Sequence, residues 1–225
     1  MIFTHDFKQD CDDLLSALEA GEPVSFARFA DGERAVIEGR RFNIDGWVVP
    51  DAPNAGTMTM RAQLYQSLAY LHEDYHIGIS CPCCDVKSNR ALRQIKTVPD
   101  SRTTYSNVFV NGNAQEAMER LYALYTKGFA VLGSYDNATI QIERNMLFPF
   151  KDPAPILNEM EKQRGVLLAA GPYTCILIYK YLSEGRPPQA LVDVGSALDP
   201  VFRVGTRKYH KAGHPNRSKI CKNVV

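Results

Sequence analysis

The chain has 225 residues, 45% of them hydrophobic, and a formal net charge of +1 at neutral pH, which suits one well-buried core and is short for two. No apolar run reaches the ~18 residues of a membrane span, and Met1 to Asp6 lacks the basic-then-apolar pattern of a signal peptide, so a cytoplasmic protein is expected. Six cysteines, three of them crowded into Cys81-Pro82-Cys83-Cys84, do not make a disulfide framework and are expected to be reduced.

Phe7, Cys11, Leu14, Leu15 and Leu18 recur at helical spacing and predict an opening helix that Gly21 ends. Pro23 to Phe29 reads as a strand and Glu33 to Gly39 as a short helix. Arg41 to Pro50, with the turn-forming Asp45-Gly46, predicts a small hairpin, followed by a loop over Pro53 to Gly56. Thr57 then caps a helix whose Met60, Leu64, Leu68 and Leu71 form one stripe. His76 to Ser80 reads as a strand, Ala91 to Lys96 as a helix, and Thr103 to Val110 as a third parallel strand.

Asn113 with Glu116 resembles a capping box. It opens a helix with Met118, Leu121, Tyr122 and Tyr125 inward and Gly128 as its stop. Phe129 to Gly133 is a short apolar strand, and Asp152-Pro153 begins a helix carrying Ile156, Leu157 and Met160. Val166 to Ala170 has no polar face, as a strand covered on both sides requires. It leads through Gly171-Pro172 into a helix bearing Ile176, Leu177 and Tyr181, and Gln189 to Gly195 gives the last strand. This alternation predicts a single α/β domain over 1–225, with a mostly parallel, Rossmann-like sheet and helices on both faces. Residues 203–225 carry seven Lys or Arg and no acid, so a basic C-terminal tail follows an acidic body.

Three segments carry candidate chemistry. In Ser25-Phe26-Ala27-Arg28-Phe29-Ala30-Asp31-Gly32-Glu33 a strand ends in two carboxylates separated by one glycine, at the edge where ligands collect in open α/β sheets. Such hard oxygen ligands hold Mg²⁺ or Mn²⁺ and leave positions for substrate phosphates; the alternative is a solvated turn that caps a helix. In Leu167 to Thr174 a buried strand passes through Gly171-Pro172 into a helix start. Free N–H groups there suit a phosphate, although Gly-Pro also serves simply to turn the chain. The segment is neither G-x-G-x-x-G nor a Walker loop.

In Gln189 to Ser196, Asp193 interrupts an apolar strand, and a charge there is either paired or used. A methyltransferase reading fits this segment poorly, because that acid-and-glycine loop normally opens the fold. His72, His76, Cys81, Cys83 and Cys84 are zinc-compatible in type but irregular in spacing, the alternative being a strand end with reduced thiols. No G-x-S-x-G is present. Asn107, Asn111, Asn113, Ser134, Asp136 and Asn137 fall on the same expected rim, as sugar-binding groups or as helix caps.

Together these segments resemble the GT-D class of glycosyltransferases, whose members open with Ser-x-x-Arg-Phe-Gly-Asp-Gly-Glu and later present strand, Gly-Pro, helix and strand-Asp-x-Gly in that order. The resemblance frames about residues 20 to 200. It implies transfer of a sugar from a nucleotide-diphosphate donor, with a UDP-sugar expected, to a hydroxyl of a glycan or glycoprotein. On that carry-over Asp31 and Glu33 engage Mn²⁺ or Mg²⁺ and the donor diphosphate and act in catalysis. On the same carry-over Arg28 reaches a donor phosphate. From the residues themselves, Asn111, Gly171, Pro172, Tyr173 and Thr174 are further donor-side candidates and Ser196, Asp199, Arg207 and Lys208 acceptor-side candidates, and the chemistry of the step suggests Asp193 or Asp199 as the base for the acceptor hydroxyl. Two departures stand out: Ala30 replaces a glycine and adds only a methyl, and Ser196 stands where the family often has histidine. The tail also suits a nucleic-acid acceptor such as a modified DNA base. The runner-up from another class is a non-catalytic nucleotide or nucleic-acid binding module that uses this tail.

Overall fold

The computed structural model describes residues 1–44, 47–49, 55–110, 114–143 and 152–202. The first helix, α1 (Phe7–Ala20), starts where the Asp6 carboxylate accepts from the Gln9 N–H at 2.8 Å. It buries Phe7, Cys11, Leu14, Leu15 and Leu18 and stops at Gly21, whose φ of 77° lets its N–H close on the Ala17 and Leu18 carbonyls. The chain then runs β1 (Ser25–Phe29), α2 (Asp31–Ile37), the antiparallel pair β2 (Phe42–Ile44) and β3 (Trp47–Val49), α3 (Ala55–Leu68), β4 (Tyr75–Ile79), α4 (Val86–Ile95) and β5 (Thr103–Tyr105). It continues through α5 (Ala114–Thr126), β6 (Ala130–Gly133), β7 (Ile140–Gln141), α6 (Ala154–Glu161), β8 (Gly165–Ala169), α7 (Pro172–Ser183) and β9 (Ala190–Asp193).

Seven strands form one sheet in the order β5-β4-β1-β9-β8-β6-β7, and every pair is parallel. From β1 the chain steps to β4 and β5, crosses the whole sheet to β6 and β7, then returns inward through β8 to β9. Parallel crossovers are right-handed, so a reversal of stepping direction moves the connecting helix to the opposite face. The core follows this rule. Ala35, Leu64, Leu92, Leu157 and Ile176, from α2, α3, α4, α6 and α7, pack on one face, and Leu15 of α1 and Leu121 of α5 pack on the other with Val194, Ala197 and Leu198. Along β8, Val166 and Leu168 join the first layer and Leu167 the second, the two-residue alternation of a strand covered on both sides.

A single α/β domain with a parallel sheet between helical layers is therefore what the alternation predicted, and several local expectations change. The Thr103 to Val110 strand pairs only over Thr103–Tyr105; Val108 and Phe109 are buried in the α1/α5 layer, so their β-type side chains serve packing in a turn. Helix α3 begins at Ala55, which makes Thr57 its third residue rather than its cap, and ends before Leu71, which is 58% exposed. In α5 the inward positions are Ala117, Leu121 and Leu124, and Tyr122 faces solvent. Helix α4 begins at Val86, well before Ala91, because Asp85 caps the Ser88 N–H at 2.9 Å. The Asp45-Gly46 turn, Asn113 and the basic tail lie outside the described residues. Among the described residues, no helix is long and apolar enough to cross a membrane.

Strand β8 starts at a glycine for want of space. A Cβ on Gly165 would lie 2.4 Å from the Phe129 ring, which is itself buried. Gly165→Ala is expected to cost about 1–3 kcal/mol through overpacking, read as a lowered urea midpoint at unchanged m. An unchanged midpoint would show that Phe129 yields freely.

Candidate active site

Strands β1 and β9 are neighbours whose continuations part. After β1 the chain turns into α2 on one face, and after β9 it turns to the α1/α5 face. At such a divergence open α/β sheets bind their ligands, at the carboxyl ends of the strands. Arg28, next to last on β1, lies at this point. Its backbone N–H donates to Asp193 Oδ2 at 3.3 Å, its Nε lies 3.2 Å from Asp193 Oδ1, and its Nη1 donates to the Ser106 carbonyl at 2.8 Å. Asp193 also accepts the Gly195 N–H at 2.9 Å. Burial pushes the Asp193 carboxyl up, and the Arg28 charge opposes that shift. Gly195 has φ 50°, and the position of a Cβ there falls 1.6 Å from Arg28 Nη2, so the guanidinium occupies the space that any side chain would take.

The two acids of the Asp-Gly-Glu turn separate. Because α2 starts at Asp31 and not at Glu33, these residues stand about 200° apart around the helix axis. Asp31 is exposed, whereas Glu33 is buried and turns back so that its Oε2 accepts the Ala30 N–H at 2.8 Å. That is half of a capping box, since Ala30 has no side-chain oxygen to answer it. Burial first, then the charge of Asp193, raises the Glu33 carboxyl to about 7, against the pull of the Ala30 N–H. Beneath both acids the Cys175 thiol of α7 donates to the Arg28 carbonyl at 3.2 Å. Burial, Glu33 and Asp193 hold this thiol well above its ordinary range, which makes it inert as a nucleophile.

The two carboxylates do not form a clasp as they stand, so a hard divalent cation of the Mg²⁺ type would be held here by Asp31 alone, completed by substrate phosphates and water. Asp31 offers the open carboxylate. Glu33 offers a second, buried negative charge that a nearby cation would ionise.

The Gly171 to Thr174 segment lies at the carboxyl end of β8, as the sequence predicts, but with fewer free donors than expected. Gly171 has φ 55°, Pro172 has no N–H, the Ala170 N–H donates to Thr174 Oγ1 at 3.1 Å, and the Thr174 N–H folds onto the Gly171 carbonyl at 3.0 Å. Pro172, Tyr173 and Thr174 are buried. Asp199 is also buried and accepts the Tyr135 hydroxyl at 2.6 Å, in a segment whose Phe202 stacks on Tyr135 with ring centroids 4.6 Å apart. Ser196 is half-buried in the same segment. Asn111, Arg207 and Lys208 lie outside the described residues.

The zinc-compatible set divides. His76 is the second residue of β4, paired with Phe26, and its Nδ1 contacts the Asp74 carbonyl at 3.0 Å. Cys81 lies beyond the other end of that strand, roughly 16 Å away at about 3.3 Å per residue. Among the described residues, Cys81, Cys83 and Cys84 alone bring three such ligand atoms within reach of one ion. Sequence reasoning did not anticipate Cys175, the Ser106 carbonyl or the packing of Arg28 on Gly195. The Asp-x-Gly spacing was the only signal for the last, and the other two carry none.

No family model matches the chain, and no curated protein sequence matches it. Its fold is similar to a solved structure of domain of unknown function 1792 (DUF1792), with a TM-score of 0.57 at 16% identity over 90% of this chain and 86% of that one. It is likewise similar to a DUF1792 structure with a distinct glycosyltransferase fold (TM-score 0.54, 16% identity, 92% and 90% covered) and to a glycosyltransferase (DUF1792) from Streptococcus sanguinis (TM-score 0.54, 16% identity, 91% and 89% covered). The likeness establishes a glycosyltransferase-like α/β fold.

Proposed function

We propose that this protein is a metal-dependent glycosyltransferase that moves a sugar from a nucleotide-diphosphate donor, a UDP-sugar, to an acceptor hydroxyl. The observation that carries this reading is the divergence of β1 and β9, where a strand delivers an exposed Asp31 and a buried Glu33 a few residues after a fixed Arg28. Its setting, in a fold shared with a glycosyltransferase, supports the same assignment.

Breaking a sugar–phosphate bond leaves a diphosphate whose charge grows in the transition state, and fixed positive groups lower that barrier. Mn²⁺ or Mg²⁺, held by Asp31 with Glu33 behind it, would supply Lewis-acid stabilisation of the departing diphosphate. Arg28 adds a guanidinium that needs no reorganisation, because Asp193 and the Ser106 carbonyl already hold it. This engagement supports a positioning role for Asp193 at Arg28, beside the acceptor-base role that the chemistry of the step assigns to Asp193 or Asp199. Asp199, committed to Tyr135, supports the packing of the 194–202 segment. The short α7 start, with Gly171 at its cap, lies on the same rim and suits close approach of the donor. Ser196, Arg207 and Lys208 remain the acceptor-side residues of this reading, with a glycan or glycoprotein hydroxyl as acceptor.

The test is donor hydrolysis. Incubated with a panel of nucleotide sugars and Mn²⁺, the protein is expected to release free nucleoside diphosphate from one class of donor, and EDTA is expected to suppress that release. No release from any donor, with Mn²⁺ or Mg²⁺, would overturn the proposal.

A further inference from the structure

Cys81, Cys83 and Cys84 lie just past the end of β4, on the same rim as the Asp31 turn but separate from it. Cys81 is buried, and Cys83 and Cys84 are exposed. The Sγ atoms of Cys81 and Cys83 are 2.9 Å apart, those of Cys83 and Cys84 are 3.8 Å apart, and all three lie within 4.8 Å of one another. Bonds of about 2.3 Å from one tetrahedral Zn²⁺ space their sulfurs about 3.8 Å apart. The Cys83–Cys84 pair is already at that spacing, and the Cys81–Cys83 pair reaches it by opening about 1 Å.

The loop that carries the thiols is braced at both ends. The N–H groups of Cys84 and Asp85 donate to the Cys81 carbonyl at 3.1 and 2.9 Å. Asn89 of α4 donates its side-chain amide to the Ser80 carbonyl at 2.7 Å, and Asp85 caps α4. Arg34 of α2 reaches the same place, with Nη1 on Ser88 Oγ at 2.6 Å and 3.6 Å from Asp85 Oδ2. Three thiols are thus presented on a loop fixed before any ion arrives. Preorganisation of this kind reduces the ordering cost of binding. Cys11 and Cys175 are buried elsewhere.

We propose that Cys81, Cys83 and Cys84 form a three-thiolate site for a thiophilic divalent cation of the Zn²⁺ class, with a fourth position open to solvent or to an exogenous ligand. Soft sulfur ligands select this class of ion, whereas the carboxylates of Asp31 and Glu33 select Mg²⁺ or Mn²⁺, so the two sites hold different metals. Each thiol gives up its proton on binding, which makes the affinity rise with pH. The site does not depend on the glycosyltransferase reading.

Cobalt is the probe. The reduced full-length chain, titrated with Co²⁺, is expected to develop a thiolate-to-cobalt charge-transfer band that saturates at one ion per chain and is abolished by added Zn²⁺. Co²⁺ on the carboxylates alone gives no such band. The Cys83→Ser, Cys84→Ser double variant should lose the band, with circular dichroism confirming the fold. The single variants Cys11→Ala and Cys221→Ser should keep it. Absence of the band in the native chain, its survival in the double variant, or its loss in Cys221→Ser overturns the proposal. So does a Cys81–Cys83 disulfide that persists under reductant.

Discussion

Glu33→Gln is expected to reduce metal-dependent donor turnover about 100-fold while leaving the protein at least as stable above neutral pH. The amide has the shape of the carboxylate and its oxygen still accepts the Ala30 N–H, so the start of α2 is kept. What disappears is a buried charge. The Glu33 carboxyl titrates at about 7 in the folded chain against an ordinary 4.5, so the folded state binds this proton more tightly than the unfolded one. The contribution of Glu33 to stability is therefore fully present below about pH 4.5 and is lost as pH rises through about 7, a change of about 3 kcal/mol. Urea denaturation at pH 5 and pH 8 should show this loss in the native chain and not in Glu33→Gln. Mn²⁺ should recover more stability at pH 8 in the native chain than in Glu33→Gln, which keeps Asp31 alone. An identical pH slope in the two proteins would contradict the burial of Glu33, and full turnover in the variant would remove it from the metal site.

Gly195→Ala is expected to destabilise the protein by about 4–6 kcal/mol and to abolish donor turnover. Alanine at a φ of 50° costs about 1 kcal/mol in itself. The larger part is the collision with Arg28 Nη2 at 1.6 Å, which forces the guanidinium out and leaves Asp193 buried without its partner, a loss of about 3–5 kcal/mol for a broken buried pair. A double-mutant cycle separates this from simple backbone strain. If Gly195→Ala acts by expelling Arg28, combining it with Arg28→Met should cost far less than the two singles added together. Additive costs, or a Gly195→Ala protein as stable as the native chain, would refute the coupling.

Most of the fold was legible because its signals are strong and local. The apolar spacing of Phe7 to Leu18 with Gly21 behind it, and the two-sided apolar run of β8, each permit one reading. Where the reading failed, a side chain suited to a strand was needed for something else. Val108 and Phe109 fill the α1/α5 layer from a turn, and no local pattern distinguishes that use from pairing in a sheet. The site was legible in its residues but not in its geometry. Asp31 and Glu33 look like two arms of a clasp in the sequence, and the start of α2 turns one outward and the other back toward the backbone. Arg28 and Asp193 were each singled out, yet their partnership is set by the pairing of β1 with β9, across 165 residues.

That pairing has a consequence for how the molecule comes into being. Of the described strands, β9 is the last in chain order, and it enters the middle of the sheet, between β1 and β8. Until it docks, two interior strands show open edges, the feature that invites association between partly folded chains. Closing loops of this length before the contacts that reward them makes for slow folding. A chain emerging from the ribosome would thus hold Asp31, Glu33 and Arg28 long before it held Asp193, the partner that fixes the arginine, and the candidate site would be completed in one late step with the fold.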